Sequence, residues 1–187
     1  MTKPAVLNTQ RLLLRQWRPE DYPLFAAMNA DPVVMEFLPG CLSRSQSDAM
    51  SDRIRALIEQ QGWGLWALES LSTGGFIGFT GLHIPGYELP FTPCVEIGWR
   101  LDRNSWGQGY ATEAATAALD FAFEQLHMDE IVSFTAIKNL RSQAVMKRLH
   151  MQNTWENFNH PAITKGEPLE EHVLYRISQS SWLDSRG

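Results

Sequence analysis

The stretch Trp106-Gly107-Gln108-Gly109-Tyr110-Ala111-Thr112-Glu113-Ala114-Ala115 joins two segments of different character. Residues 95–101 before it predict a strand, and residues 114–126 after it contain neither Gly nor Pro and predict a long helix. A glycine loop between a strand and a helix points several backbone N–H groups at one spot, where the helix dipole favours negative charge. Because Gly107 and Gly109 have no side chain, an anion can approach the main chain closely. The stretch therefore predicts an anion-binding loop.

Four kinds of structure contain a loop of this kind. A nucleotide P-loop requires Gly-Lys-Ser/Thr at the start of the helix, but no Lys follows either glycine. A dinucleotide fold requires a third small residue, where Thr112 stands, and an acid at the end of the next strand, where Ile137-Lys138-Asn139 stands. Residues 106–111 also fit the pattern x-x-x-Gly-x-Gly/Ala, which holds the pyrophosphate of acyl-CoA. A plain strand-to-helix turn is the fourth alternative, and the loop alone does not exclude it.

Length and composition predict one globular domain. The chain has 187 residues, of which 44% are hydrophobic and 20% charged, enough for one well-buried core and too few for two. The net charge of −5 argues against DNA or RNA as the main partner and modestly favours cationic substrates such as amines. We expect a single domain over residues 1–187 that is a monomer or a homodimer.

The sequence predicts neither a membrane anchor nor a metal site. No apolar run reaches the roughly 18 residues that a membrane-spanning helix needs, and residues 1–6 lack the core of a signal peptide. We therefore expect a cytoplasmic protein without membrane contact. Cys41 and Cys94 form no CxxC motif. The five histidines have no metal-ligand spacing, so we predict no metal: His83, His127, His150, His160 and His172.

Periodicity and turn signals predict seven strands and four helices. The strands are expected at residues 7–17, 63–69, 76–84, 95–101, 130–136, 151–158 and 171–178. The helices are expected at residues 19–30, 45–61, 114–126 and 140–149, with Gly62 as the C-cap of the second. This order fits neither a doubly wound sheet nor a barrel.

A second motif follows the predicted strand 130–136. Asn139 and Ser142 form Asn-x-x-Ser, and Val145-Met146-x-x-Leu149 comes next. Asn139 alone predicts an N-cap of the helix, with Ser142 in the first turn. The segment also contains a basic cluster, which indicates either a solvated helix face or a seat for a phosphorylated cofactor: Lys138, Arg141, Lys147 and Arg148.

Together the two motifs resemble the GNAT acyltransferase superfamily, and more closely its RimJ/RimL-type N-acetyltransferases. Residues 10–15, 95–99 and 172–176 also resemble that branch. The resemblance implies an α+β (mixed α/β) GNAT acyltransferase fold: a central, mostly antiparallel seven-stranded sheet with splayed fourth and fifth strands, flanked by about four helices. It also implies acetyl-CoA as the cosubstrate.

The resemblance assigns roles to individual positions. Backbone groups around Trp99 and Leu101 would bind the pantetheine arm and, near Leu101, the thioester oxygen. N–H groups of residues 107–112 would hold the pyrophosphate, Asn139 would hydrogen-bond the cofactor, and Ser142 would lie near the sulfur. The implied cofactor-binding set is Trp99, Leu101, Trp106, Gly107, Gln108, Gly109, Tyr110, Ala111, Thr112, Asn139 and Ser142.

Two positions depart from the superfamily pattern. The glycine loop often begins with Gln or Arg, where this chain has Trp106, although the RimJ/RimL branch commonly has Trp there. The short helix usually ends in Gly, where this chain has His150, which can adopt the left-handed cap at some cost in strain. Because neither departure removes a backbone donor, we expect cofactor binding to be retained.

Acetyl transfer requires a neutral amine, and a base assists by taking its proton. Glu96 is the candidate base, although the strand register could point it away from the cleft. Ser142 is the candidate donor to the departing thiolate, because Met146 stands where some superfamily members have Tyr; a water or Tyr175 are the alternatives. His160 and His172 flank a loop that borders the expected acceptor site, but we expect them to be ordinary polar loop and strand residues.

The sequence thus predicts an acetyl-CoA-dependent N-acetyltransferase that acts on a primary amine, such as a protein or peptide N-terminus. Aminoglycosides, polyamines and amino acids are the alternative acceptors. A non-catalytic acyl-CoA-binding module is a second function, and a nicotinamide-dependent oxidoreductase is a third. The missing acid after residue 136 argues against the oxidoreductase.

Overall fold

The computed structural model describes residues 3–186, whose strands form one sheet. The strands are β1 (Leu7–Asn8), β2 (Leu12–Arg15), β3 (Leu65–Ser70), β4 (Phe76–His83), β5 (Glu96–Leu101), β6 (Glu130–Ala136), β7 (Gln152–Asn153), β8 (Phe158–Asn159) and β9 (Glu171–Ser178). The helices are α1 (Asp21–Ala30), α2 (Arg44–Gln61), α3 (Tyr110–Asp120), α4 (Leu140–Arg148) and α5 (Gln179–Arg186). A 3₁₀ turn, Arg103–Ser105, links β5 to the glycine loop.

The strand order is β1-β2-β3-β4-β5-β6-β9-β7, and β8 also pairs with β9. Every pair is antiparallel except β5 with β6, which is parallel. The predicted α+β fold with a mostly antiparallel sheet is confirmed. Met1, Thr2 and Gly187 belong to the predicted domain but lie outside the described residues. Met1 and Thr2 are also the start of residues 1–6, the segment that argued against a signal peptide.

The described residues contain nine strands and five α-helices, against seven and about four predicted. Residues 7–17 form two strands because Leu12 N donates to Thr9 Oγ1 at 2.9 Å and folds the segment into a hairpin. Residues 151–158 also form two strands, interrupted where Trp155 adopts a left-handed φ of 61°. The fifth helix, α5, follows β9. The helix expected at 114–126 begins at Tyr110 and ends in a π-helical turn, Phe121–Gln125.

Two predicted helix ends are confirmed. Gly62 ends α2 with φ 86°, and its N–H donates to Ile58 O. His150 follows α4 with φ 59°, the left-handed conformation in which Gly is usual. Within residues 3–186, no helix is both long enough and apolar enough to cross a membrane. In the same part of the chain, no group of three metal-ligating side chains comes together.

Helices cover opposite faces of the sheet. Phe79 of β4 packs against Phe25 of α1, with ring centroids 5.9 Å apart. Trp66 of β3 contacts Phe121, directly after α3, at 5.5 Å. Trp66 pairs with Thr80, the neighbour of Phe79, and successive strand side chains point to opposite faces. We therefore call the two sides of the sheet the α1 face and the α3 face.

A buried ion cluster fixes α1 to the sheet. Arg15 of β2 donates two hydrogen bonds to Asp21 of α1, at 2.7 and 2.9 Å, and one to Glu69 of β3 at 2.6 Å. The side chains of Arg15 and Asp21 are only 6% and 3% exposed. Such charges are tolerated inside a protein when each has a hydrogen-bonded partner. The cluster therefore holds β2, β3 and α1 in one arrangement.

We expect Asp21→Ala to lower the free energy of unfolding by about 3–5 kcal/mol, because it leaves a buried guanidinium without its main partner. The control is Asp48→Ala, which removes the exposed Arg44–Asp48 pair of α2 and should cost less than about 1 kcal/mol. Urea denaturation of both variants measures the difference. Equal losses would show that the buried cluster is no more important than a surface pair.

Candidate active site

β5 and β6 lie side by side only where they begin. Glu96 and Val132 form their register pair, and Val132 N donates to Val95 O at 3.0 Å. The next contact uses a side chain: Ser133 Oγ donates to Ile97 O at 3.0 Å. No further register pair joins the two strands within the described residues. The splay predicted for these strands is therefore confirmed, and it opens towards their C-terminal ends.

The splay exposes backbone groups on one edge of β5. Successive residues of a strand direct their backbone groups to alternate edges, and the contacts of Val95 and Ile97 assign the odd-numbered residues to the β6 edge. Trp99 and Leu101 therefore direct their N–H and C=O groups into the splay. The Leu101 carbonyl accepts a hydrogen bond from Trp106 Nε1 at 2.9 Å. The other groups on this edge can bind an extended ligand in the place of a missing strand.

The glycine loop has the geometry of an anion site. Gly107 and Gly109 adopt left-handed φ values of 74° and 82°. Gly109 is the N-cap of α3, and no side chain among residues 3–186 caps that helix, so its first-turn N–H groups remain available. A Cβ built on Gly107 would meet no atom within 4 Å. Open space in front of backbone donors and a helix dipole fits the pyrophosphate of acetyl-CoA.

Arg11 holds the glycine loop in place, although sequence reasoning alone gave it no role. Its Nε and Nη2 each lie 2.6 Å from Glu113 Oε2, and its Nη1 donates to Gln108 O at 2.9 Å. Its guanidinium also lies 4.6 Å from the ring centroid of Tyr110. Arg11 belongs to one of the segments that resemble the RimJ/RimL branch. Because Glu113 is 102 residues away in the chain, only the fold reveals the contact.

Asn139 is the N-cap of α4, which confirms one of its predicted alternatives. Its Oδ1 accepts a hydrogen bond from Ser142 N at 3.2 Å, and its Nδ2 donates to Thr135 Oγ1 at 2.9 Å. Ser142 takes part in the cap through its backbone. Its side chain is partly exposed, and its hydroxyl has no hydrogen-bond partner among residues 3–186. That hydroxyl is therefore available to a ligand.

A side-chain contact joins the two motifs. The guanidinium of Arg141, in α4, lies 4.7 Å from the centroid of the Trp106 ring. Arg141 also donates to Glu36 Oε2 at 2.6 Å and lies 5.6 Å from the ring centroid of Phe37, both in the α1–α2 connection. It thus has acidic and aromatic partners within the protein. The rest of the basic cluster is exposed: Lys138, Lys147 and Arg148.

Glu96 lies on the α1 face, at the fork where β5 and β6 separate. It is 9% exposed, and its Oε2 lies 3.2 Å from Nε2 of His83, its register partner on β4. Burial raises the pKa of the Glu96 carboxyl well above its usual value and lowers the pKa of His83 to about 4. The register therefore brings to the fork a carboxylate that binds a proton more tightly than usual.

Tyr87, His160 and His172 form a cluster of side chains. The Tyr87 hydroxyl is 2.9 Å from Nε2 of His160, and the ring centroids of His160 and His172 are 4.7 Å apart. Ala162 N donates to His160 Nδ1, so Nε2 bears the proton and donates to Tyr87. Burial, and then the charge of Glu96, raise the pKa of Tyr87. The two histidines predicted to flank the acceptor loop thus lie together.

Tyr175 occupies a different place from the fork. Its hydroxyl donates to Gln143 Oε1 of α4 at 3.2 Å, and the residue is 2% exposed. Its ring lies in the main hydrophobic core with Met146 of α4. Tyr175 thus fastens α4 to the sheet. Of the two side chains considered as proton donors, Ser142 is the one that remains accessible.

Comparison with known proteins assigns the family. The profile described as "Acetyltransferase (GNAT) domain" matches residues 11–152. The chain belongs to the GNAT acetyltransferase family. It is therefore an acyltransferase, and GNAT enzymes use acetyl-CoA, which the glycine loop and the open edge of β5 fit.

Two relatives of this GNAT enzyme align with nearly its whole length. The uncharacterized N-acetyltransferase YnaD of Bacillus subtilis is 26% identical over 177 residues, which cover 94% of this chain and 98% of YnaD. The FsC-acetyl coenzyme A-N(2)-transacetylase of Aspergillus fumigatus is 29% identical, covering 95% of this chain and 77% of the fungal protein.

A solved structure shares the GNAT fold. RimL, the ribosomal L7/L12 alpha-N-protein acetyltransferase in complex with coenzyme A, superposes with a TM-score of 0.75 at 16% identity. The match covers 95% of this chain and 99% of RimL. At this identity the likeness is one of fold.

Gly109→Ala should weaken CoA binding at least tenfold, because a methyl group there strains the loop and lies 3.4 Å from Arg11 Nη2. Gly74→Ala, in the β3–β4 turn, is the matched control: its φ is 69° and its Cβ would meet nothing within 4 Å. Both variants carry a similar backbone strain. CoA at 100 times its dissociation constant adds about 2.7 kcal/mol of apparent stability, so thermal shifts compare the two. If Gly109→Ala binds CoA with unaltered affinity, the pyrophosphate binds at a place other than the glycine loop.

Proposed function

We propose that this GNAT enzyme transfers an acetyl group from acetyl-CoA directly to a primary amine. The observation that carries the proposal is the fork between β5 and β6, with Glu96 at its apex. The pyrophosphate would bind the N–H groups of residues 107–112, beside Trp106, and the pantetheine arm would run along Trp99 and Leu101. The amine would approach from the α1 face, next to Glu96. The fork would thus let the two substrates meet from opposite faces of the sheet.

His83 is placed to donate a hydrogen bond to the carboxylate form of Glu96, the form that a base requires, although burial raises the pKa of this carboxyl. The buried Nδ1 of His83 has no hydrogen-bond partner among the described residues. A buried N–H without a partner is costlier than an unpaired acceptor, so the favoured tautomer carries its proton on Nε2 and donates it to the Glu96 carboxylate. Glu96 would then take the proton of the attacking amine, directly or through water.

Two further groups would act on the thioester. The Leu101 N–H, on the open edge of β5, would donate to the oxygen on which negative charge develops. The Ser142 hydroxyl, in the first turn of α4, would donate to the sulfur as the thiolate leaves. Asn139 would support this arrangement by fixing the start of α4 and by hydrogen-bonding the cofactor.

We favour a protein or peptide N-terminus as the acceptor. An α-amine has a pKa near 7.7–8.0 and a Lys side chain one near 10.4, so a larger share of the α-amine is neutral at physiological pH. RimL, which shares the fold, is named an alpha-N-protein acetyltransferase. A small-molecule amine is the alternative, and the fungal relative is named for transfer to N(2) of FsC. We further assign the enzyme to the RimJ/RimL-type branch, acting in the cytoplasm as a monomer or homodimer.

An acceptor panel tests the proposed activity. Peptides with free N-termini, lysine, a polyamine and an aminoglycoside are each incubated with acetyl-CoA, and thiol release is measured together with the mass of the acetylated product. A CoA-binding protein that acetylates none of them would be a binding module and not an acetyltransferase. A preference for lysine or the polyamine over all peptides would reject the N-terminal acceptor.

Glu96→Gln should lower kcat/KM by about 100-fold or more, because it removes the base. The raised pKa of Glu96 means that activity should rise with pH as the carboxyl ionises, and the variant should lose this limb. The same shift disfavours the folded state as pH rises through that pKa, so Glu96→Gln should be at least as stable as the parent at pH 8. Glu124→Gln, at an exposed position after α3, is the control. Full activity in Glu96→Gln would reject the assignment.

Ser142→Ala should lower kcat by roughly 10- to 1000-fold, a range set by general-acid effects. Because the cap bond uses the backbone N–H of Ser142, the melting temperature and the dissociation constant of CoA should barely change. All three quantities are measured on one preparation. An unchanged kcat would leave protonation of the thiolate to solvent.

A further inference from the structure

Arg100 is a partly buried cation that the acetyl-transfer chemistry above does not use. It lies on β5 four residues after Glu96, and its register partner is Phe79 on the α1 face. Its guanidinium lies 5.3 Å from the ring centroid of Phe79. Its Nη1 donates to Asn29 Oδ1 of α1 at 2.6 Å. Arg100 therefore points to the same side of the sheet as Glu96.

The partner of Arg100 is itself fixed. Asn29 is fully buried, and its Nδ2 donates to Ser47 Oγ of α2 at 2.9 Å. Ser47 is also fully buried. Because Nδ2 of Asn29 donates to Ser47, Oδ1 of the same amide is oriented towards Arg100. The guanidinium of Arg100 is thus held by one hydrogen bond and by the face of the Phe79 ring. A guanidinium has five N–H donors in all, so others remain for a ligand.

Arg100 has no carboxylate partner in the described part of the chain. No acidic oxygen of residues 3–186 lies within 4.0 Å of its nitrogens, whereas buried Arg15 has both Asp21 and Glu69. Burial lowers the pKa of Arg100 to about 10, yet part of the residue still reaches solvent. A cation in this position is unfavourable unless something completes its hydrogen bonds.

Open space separates Arg100 from Glu96. Gly98 lies midway between them on β5, and alternation along the strand directs all three positions to the α1 face. A Cβ built on Gly98 would meet no atom within 4 Å. The α1 face of β5 therefore presents a carboxylate, a gap and a guanidinium in succession.

We propose that Arg100 binds a carboxylate carried by the acceptor, while the reactive amine of the same acceptor lies at Glu96. Arg presents paired N–H groups that match a carboxylate. The inference rests on the proposed acetyl transfer, since it places the amine at Glu96. It narrows the acceptor class to amines that carry an acidic group.

The spacing favours a peptide over a free amino acid. Four residues of an extended strand separate the Cα atoms of Glu96 and Arg100 by about 13 Å. Both side chains can lean into the gap above Gly98, but a free α-amino acid has only one carbon between amine and carboxylate. An N-terminus with Asp or Glu at its second or third residue spans a longer distance. We therefore assign the carboxylate to an acidic side chain near the N-terminus.

Matched acceptors test this assignment on the wild-type enzyme. The pairs are Ala-Asp-amide with Ala-Asn-amide, and alanine with alaninamide. Ala-Asp-amide should have a kcat/KM 10- to 100-fold above that of Ala-Asn-amide, the gain of one charge-assisted contact. A preference confined to free alanine over alaninamide would show that Arg100 binds an α-carboxylate, and would reject the acidic side chain.

Variants then assign the preference to Arg100. Arg100→Gln should lower kcat/KM for Ala-Asp-amide by 10- to 100-fold and leave that for Ala-Asn-amide within about threefold. Arg53→Gln, at an exposed position of α2, makes the same change in net charge and should alter neither. The backbone of Gly98 does not have a positive φ, so Gly98→Val should fill the gap without straining the backbone. This variant should raise the KM for both acceptors and leave CoA binding unchanged.

Folding and function are separated in the same experiment. The CoA-induced thermal shift reports whether Arg100→Gln retains the cofactor site. For a variant that does not fold, the wild-type preference remains the test. Acetylation without a preference for acidic acceptors would overturn the role of Arg100 and leave the transferase activity intact. CoA binding without acetylation of any amine would overturn the proposed function, and with it this inference.

Discussion

The single register pair between β5 and β6, Glu96 with Val132, determines where the site lies. Parallel strands need a long crossover between them, and here that crossover contains the glycine loop and α3. Both strands run the same way, so the glycine loop after β5 and the start of α4 after β6 follow their C-terminal ends. The strands diverge towards those ends. Two motifs far apart in sequence therefore flank one opening, whose edge has unpaired backbone groups.

Buried and partly buried charges on the α1 face fall into two kinds. Arg15 has carboxylate partners in Asp21 and Glu69, and this cluster is complete without a ligand. Among residues 3–186, the polar partner of Glu96 is the uncharged ring of His83 alone, and that of Arg100 is the amide of Asn29 alone. Incomplete pairing of buried charges is unfavourable for folding, and such groups concentrate where a protein binds or reacts. The contrast separates the anchor of α1 from the part of β5 where we propose that the acceptor binds.

Features that depend on local sequence were predictable here. The left-handed glycine loop, the cap at Asn139 and the left-handed His150 each depend on residues within one or two turns. The face of Glu96 was not predictable, because it depends on register with His83 across a connection of twelve residues, 84–95. The Arg11–Glu113 contact and the isolation of Arg100 are likewise products of the tertiary fold. The types of residue present therefore indicated the chemistry of the site, whereas its geometry depends on contacts between residues far apart in the sequence.

The α1–α2 connection, residues 31–43, contacts Arg141 of α4 and Asn29 of α1. Near the glycine loop, Arg141 donates to Glu36 of the connection and packs on the ring of Trp106. Trp106 Nε1 in turn donates to the carbonyl of Leu101. On the α1 face, Leu42 N donates to the carbonyl of Asn29, the residue that holds Arg100. The connection therefore contacts both Arg141, which packs on Trp106 of the glycine loop, and Asn29, which holds Arg100. In the sites that we propose, one connection would thus support both the cofactor loop and the residue that binds the acceptor.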